Sequence, residues 1–273
     1  PFFVQFGNFV TDLFQGKMGK SLRSHQPVFK ELKTFLPATL ELVILSTFIG
    51  VILGLYLGVV SASRKDQWVD HLCRFFSVST VSIPAFWIGL LLQFVFYGIL
   101  DWLPLGERLS MRVKLFQEIP DITGMLLFDS LITWNMVVFW DALKHIILPG
   151  FVMALFPIGL VARMTRSALL EILNEDYIKA ARSYGLSERI VMWSYALKNS
   201  LGPTATVVTL AIGFTLVNTF LVESIFSWPG IGNYIATAVI VLDYPAIMGV
   251  TIFSACSYVF LNLAADLIIA LDP

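Results

Sequence analysis

The sequence predicts an all-α membrane protein, and three observations carry that prediction. Of its 273 residues 57% are hydrophobic and only 14% charged, where a soluble domain carries roughly a quarter charged. Mean hydropathy is +0.80. The apolar residues also gather into long runs with few ionisable groups, and about 20 such residues in a helix cross a bilayer. The net charge of -1 gives no reason to expect nucleic acid as a partner. Cys73 and Cys256 stand far apart with no metal-ligand neighbours, so neither a disulfide framework nor a zinc site is expected.

Residues 1–35 are amphiphilic, with Lys17, Lys20, Arg23, Lys30 and Lys33 among Phe and Gly. Gly16 to Ser21 ends like a phosphate-binding loop, but the motif's leading glycine would fall on Phe14 and no buried strand precedes it. An ordinary glycine turn is expected there. The chain opens on Pro1 without a signal-peptide pattern, so a further N-terminal piece is expected.

The first span covers about residues 36–60, with Glu41 its one ionisable group. Ser46, Gly50, Gly54, Gly58 and Ala62 recur every four residues and line one helix face, which lets another helix approach closely. A second span is expected at about 75–100, kinked by Pro84. Residues 122–140 are apolar but hold Asp129 and Asn135, and read as an interfacial or re-entrant segment. Further spans are expected at about 146–162, 201–222 and 246–271, five in all. With residues 1–35 outside, the inner loops 61–74 and 163–200 carry nine Lys and Arg in 52 residues, against nine in 103 for the outer segments. That is the sense of the positive-inside rule.

The polar interval from Asn174 to Pro203 is then cytoplasmic. Asn174 is a good N-cap, Glu175 and Asp176 suit a first turn, and Gly185 is placed to end the helix in the left-handed conformation. Ser187 caps a second helix with Glu188 at its start, and Pro203 opens the next span. On physical grounds alone, a solvated connector and a docking element that passes force to the flanking spans fit equally well.

Lys179-Ala180-Ala181-x-x-x-Gly185, with the basic helix running to Leu201-Gly202-Pro203, resembles the EAA loop of binding-protein-dependent ABC import permeases. Other stretches resemble the dipeptide/oligopeptide/nickel branch of that family. They are Phe35 to Leu42, Ser82 to Trp87, His145 to Pro149, Glu223 to Gly232, Asp243 to Pro245 and Leu271 to Pro273. Two departures stand out: Lys179 occupies the glutamate position of the motif, and Gly202 replaces an apolar residue before the proline.

The resemblance implies a single permease domain over 1–273 with the type I ABC importer fold, in the bacterial inner membrane. It implies a sixth span upstream of Pro1, a tail beyond Pro273 and a cytoplasmic coupling loop at 169–200. It further implies a homologous second permease subunit, two cytoplasmic ATPases and a periplasmic or lipid-anchored solute-binding protein. ATP and magnesium would be bound by the ATPases, with no cofactor or metal in this chain. Asp176, Tyr177, Lys179, Ala180, Ala181, Gly185, Leu186, Ser187, Glu188 and Arg189 are the implied coupling surface. Ala180, Ala181 and Gly185 would permit close approach of the ATPase.

Intramembrane polar groups are candidates for the translocation path, here Glu41, Gln93, Asn218, Asn262 and Asp266. Peptides are the implied cargo, with nickel, glutathione or antimicrobial peptides as alternatives. His25, His71 and His145 are too scattered for a metal relay. An ion-coupled secondary transporter using Asp266 and Glu41 is the second class considered. A membrane-embedded enzyme is the third, and no HExxH, GxSxG or paired catalytic carboxylates support it.

Overall fold

The computed structural model describes the backbone of residues 2–271. Its side chains are described except for Phe2, Gln5, Asn8, Phe9, Phe14, Val217, Ala264, Ala265, Asp266, Ile268, Ile269, Ala270 and Leu271. The regular elements among the described residues are all helices, with no strand among them. In chain order the helices are α1 (Phe2–Phe14), α2 (Val28–Ser63), α3 (Trp68–Ser82), α4 (Ala85–Gln93), α5 (Met111–Phe116), α6 (Leu126–Ile132) and α7 (Met136–Ile172). Then come α8 (Asp176–Ser183), α9 (Glu188–Ile190), α10 (Leu197–Val217), α11 (Thr219–Ile225), α12 (Ile231–Ile240) and α13 (Tyr244–Leu271). Wider, π-type turns continue α4 over Phe94–Ile99 and join α9 to α10 over Val191–Ala196.

Among the described residues three helices are long and apolar enough to cross a membrane: α2, α7 and Tyr244–Leu263 within α13. The number rises to five if each of two bent pairs counts as one span. One pair is α3 with Ala85–Ile99, which meet at 101°. Residues 75–100 were expected as one kinked span, but the break is a corner. Ile83 is extended, with φ -87° and ψ 130°, because Pro84 disfavours the helical region for the residue before it. The second pair is Glu188–Leu216 with Thr219–Ile225. Pro203 lies inside α10 rather than opening it. The Ser200 and Thr204 hydroxyls donate to the Leu197 and Ser200 carbonyls in the turns before this proline, as polar side chains do where proline interrupts helical bonding in membranes.

Two helices start well before the spans predicted from hydropathy. α2 begins at Val28 rather than about 36, and α7 at Met136 rather than about 146. Val28 and Leu32 bury against Ala246 and Val250, and Val138 and Ala142 against Leu109, Val113 and Leu126. Tertiary contacts thus extend each helix through residues whose charges break the apolar window.

The chain divides into two compact units. The first comprises Pro1–Leu42, Gly89–Pro149 and Val217–Ser257, and is organised by buried carboxylates. Glu223, fully buried, accepts hydrogen bonds from Thr39 Oγ1 at 2.8 Å and from the Gly232 and Asn233 N–H groups at 2.7 and 3.2 Å. This clamps the turn Ser227–Asn233, whose Trp228 donates from Nε1 to the Ala38 carbonyl at 2.9 Å. A Cβ on Gly232 would stand 2.7 Å from the Phe220 backbone and 2.9 Å from the Glu223 carboxylate, so only glycine fits. Asp129 is also fully buried, capping the loop before α6 by accepting from Thr123 Oγ1 and from the N–H groups of Ile122, Thr123 and Gly124. Burial pushes its carboxyl up, but these hydrogen bonds outweigh burial and hold it below the ordinary carboxylate range.

The second unit comprises Val43–Ile88, Gly150–Leu216 and Tyr258–Pro273. Here the predicted small-residue face is in use. Cβ atoms placed on Gly50, Gly54 and Gly58 would stand 2.5, 2.7 and 2.6 Å from the Cβ atoms of Pro157, Val161 and Thr165. Both series climb by four residues together, so α2 and α7 run parallel along this stretch. Ser46 and Ala62, at the ends of the face, are buried. A glycine not singled out from sequence, Gly159 of α7, seats α3 in the same way, with the Ser77 carbonyl 2.5 Å from a Cβ built there. Gly54→Leu is expected to lower the amount of folded protein in the membrane and its melting temperature. Over-packing a tight contact costs about 1–3 kcal/mol. Gel-filtration fluorescence of the detergent-extracted protein reads the loss, and an unchanged profile would show that the α2–α7 contact yields easily.

Candidate functional site

The polar interval after α7 folds as a packed bracket. α8 runs for eight residues and ends in a Schellman turn. The Leu186 N–H donates to the Ala181 carbonyl at 3.3 Å and the Gly185 N–H to the Arg182 carbonyl at 2.9 Å. Gly185 has φ +77°, the left-handed value glycine adopts without penalty. Glu175, not Asn174, is the N-cap residue of α8, because the Asn174 side chain donates backwards to the Leu170 carbonyl at the end of α7. Ser187 stands at the start of α9 but makes no side-chain cap bond.

The inner side of the bracket is apolar. Ile178 and Ala181 of α8 and Val191, Met192 and Ala196 of the following turn bury together with Leu169 of α7 and Val59 and Ala62 of α2. Leu186 packs on the same cluster. The bracket is therefore joined to the ends of two long parallel helices by side-chain packing, not merely by chain connection. Burying groups of this size removes a large apolar area from water, at about 25 cal/mol per Å2.

The outer side carries most of the predicted coupling residues. Asp176, Tyr177, Lys179, Ala180, Gly185, Ser187, Glu188 and Arg189 are exposed. Ala181 departs from the expected outward surface, being buried in the bracket's own core, and Leu186 is half-buried against the same cluster. The outer charges are largely matched locally. Lys179 Nζ meets Asp176 Oδ1 at 2.8 Å, and Arg182 meets Glu188 at 2.8 and 3.3 Å. Exposed pairs such as these contribute at most about 1 kcal/mol. Lys179, which departs from the motif's glutamate, thus has its charge met within its own helix.

The surface also holds aromatic residues that the motif did not single out. Tyr184 is 86% exposed, and Trp193 and Tyr195 are partly so, with the aliphatic Ile190 beside them. An exposed aromatic at a helix C-cap is legible only once the helix end is known.

The candidate path residues do not form one constellation. Glu41 is paired with Arg108 and also accepts from the Leu127 N–H, so it serves as a structural anchor of the first unit. Gln93 donates from Nε2 to the carbonyls of Leu105 at 2.7 Å and Ile225 at 3.2 Å. Asn218 is exposed at the break between α10 and α11. The Asn262 Oδ1 is buried without a hydrogen bond, and the Asp266 side chain lies outside the described residues.

A constellation unseen in the sequence lies in the second unit. Asp70, fully buried at the start of α3, receives Arg166 of α7 through Nε and Nη2, both at 2.8 Å, with Ser61 Oγ and the Asp66 N–H also donating to it. Nothing in the sequence links residues 61, 70 and 166 before the helices are packed.

Comparison with known proteins places this architecture. The family described as binding-protein-dependent transport system inner membrane component matches residues 50–271. The probable D,D-dipeptide transport system permease protein DdpB of Escherichia coli is 42% identical over 100% of this chain and 80% of its own length. The dipeptide transport system permease protein DppB of Alkalihalophilus pseudofirmus is 39% identical over 100% of this chain and 81% of its own length. In fold the chain is similar to a chain of the inward-facing MetNI methionine ABC transporter, with a TM-score of 0.60 at 15% identity, covering 85% of this chain and 92% of that one. The helical permease fold, the family match and the full-length relatives agree: this chain belongs to the binding-protein-dependent transport system inner membrane components, and is a multi-pass permease subunit of an ABC importer rather than an enzyme.

Proposed function

We propose that this permease translocates di- and oligopeptides, and that the bracket from Asn174 to Pro203 is where a cytoplasmic ATPase drives it. The observation carrying the coupling role is the two-sided build of the bracket. Its outer face offers Tyr177, Lys179, Ala180, Tyr184 and Arg189 to solvent, while its inner face is packed onto the ends of α2 and α7. A displacement of the outer face would move both long helices as one body. Parallel packing of α2 and α7 supports a topology in which loops 61–74 and 163–200 share the cytoplasmic side. That in turn favours residues 122–140 staying on the outer side without crossing.

The peptide cargo is supported by the dipeptide permeases to which this chain is similar along its whole length. The assembly would comprise a second, homologous permease, two ATPases and an external solute-binding protein. Each ATPase would close on ATP and draw its bracket with it, alternating the access of a central path.

Reconstitution of the complete importer in proteoliposomes tests the reading. Uptake of a radiolabelled dipeptide should require ATP, the ATPase pair and the solute-binding protein together. Uptake driven by an ion gradient without the ATPases would overturn the coupling role, and ATP-dependent uptake confined to nickel or glutathione would overturn the cargo.

A further inference from the structure

Near the ends of α2 and α7 that adjoin the bracket, and lined also by α3, lies a cavity of about 230 Å3. Arg74, Arg163 and Arg166 line it together with Ser61, Ser77 and Ser167, while Leu57, Val78 and Ala162 form an apolar wall. Its charge is unbalanced. Asp70, the carboxylate beside it, is already taken up by Arg166, Ser61 and the Asp66 N–H. Arg74 stands 3.7 Å from that carboxylate, also meets His71 Nδ1, and remains half exposed. Arg163 is exposed, and its side chain has no hydrogen bond or ion pair to any described residue.

Arg163 thus stands at a small cavity with no acid paired to it, and Arg74 beside it shares its one carboxylate with Arg166. Arginine donors match the oxygens of a phosphate, and such charge-assisted bonds are among the strongest polar contacts available. The cavity is smaller than the roughly 300–1,000 Å3 of sites for drug-sized ligands, which suits one head group and not a folded segment. On α3, Trp68, Leu72, Phe75 and Val78 are exposed, and Val78 also lines the cavity. Tryptophan at a helix end is typical of the membrane–water interface, and basic pockets between spans at that level take anionic head groups.

We propose that this cavity binds the phosphate of an anionic phospholipid, held by Arg163 and Arg74 over a platform fixed by the Arg166–Asp70 pair, with the acyl chains along Val78 and Phe75. The site requires only that this end of α2, α3 and α7 lies at a membrane face, and is independent of the cargo. A lipid there would fill the notch between α3 and α7 close to the bracket, so occupancy would stiffen the body that the ATPase moves.

Native mass spectrometry of the complete importer, released from nanodiscs of phosphatidylcholine with or without phosphatidylglycerol, tests this directly. The wild-type complex should retain phosphatidylglycerol, and Arg74→Gln/Arg163→Gln should retain about tenfold less, with Arg163→Lys close to wild type. If the double variant misfolds, Arg163→Gln alone decides, since that side chain supports no internal contact. Equal retention by variant and wild type would overturn the site. So would thermal stabilisation by inorganic phosphate in pure phosphatidylcholine that is lost with Arg163, because the ligand would then be a soluble phosphate. Loss of the ATPases from the variant complex with unchanged lipid retention would likewise overturn it, assigning the arginines to a protein contact.

Discussion

Gly185→Val is expected to reduce ATP-dependent uptake at least about tenfold while leaving the chain inserted in the membrane. The cause is backbone strain and not crowding: a Cβ at Gly185 meets nothing within 4 Å, but φ is +77°. A β-branched residue is a poor fit there, and holding an ordinary residue in the left-handed region costs about 1–2 kcal/mol, the order of a tenfold change in an equilibrium. The strain would be relieved by unwinding the Schellman turn, which frees the Arg182 and Ala181 carbonyls and swings Tyr184 away from its position. Gly185→Asn is the control, because asparagine is the residue that best replaces glycine at this position of a helix end. Transport by proteoliposomes, read beside protein abundance, separates coupling from folding. Full uptake by Gly185→Val would mean that the bracket's hinge has no part in coupling.

Asp70→Ala is expected to be the most damaging single substitution outside the bracket. It would leave the Arg166 guanidinium, 18% exposed, without its carboxylate, and deprive Ser61 and the Asp66 N–H of their acceptor. Removing one partner of a buried pair costs about 3–5 kcal/mol, because the remaining charge stays buried. Arg166→Gln should cost less, and Asp70→Ala/Arg166→Gln should cost clearly less than the two single losses added together. Thermal melting of the purified complex measures the cycle, and strict additivity of the two single substitutions would show that the pair is not energetically coupled. This pair ties the end of α2, the start of α3 and the last turns of α7 into one platform beneath the bracket. Uptake is therefore expected to fall along with stability.

Much of this was legible in the linear sequence. Apolar runs predicted the long helices, the four-residue spacing of Gly50, Gly54 and Gly58 predicted a close helix contact, and Gly185 announced a left-handed helix end. These features are local, encoded within a few turns of chain. Helix length was not: α2 and α7 extend through charged residues because distant side chains bury Val28 and Val138. The depth of the break at Pro84 was equally out of reach, since local sterics dictate a bend and packing selects its angle.

Side-chain roles separated along the same line. Ala181 and Ala180 are adjacent and identical in sequence, yet one faces the bracket core and the other solvent, which depends on where Leu169 and Val59 lie. Glu41 looked like an intramembrane charge and proves to be the partner of Arg108, 67 residues away. Composition, spacing and motif determined by themselves that this is a helical membrane permease with a structured polar bracket. Only the tertiary structure decided which residues the bracket turns outward, what holds it to α2 and α7, and that Ser61, Asp70 and Arg166 meet. Backbone propensity and hydropathy are properties of neighbours in the chain, whereas burial and charge pairing are properties of neighbours in space.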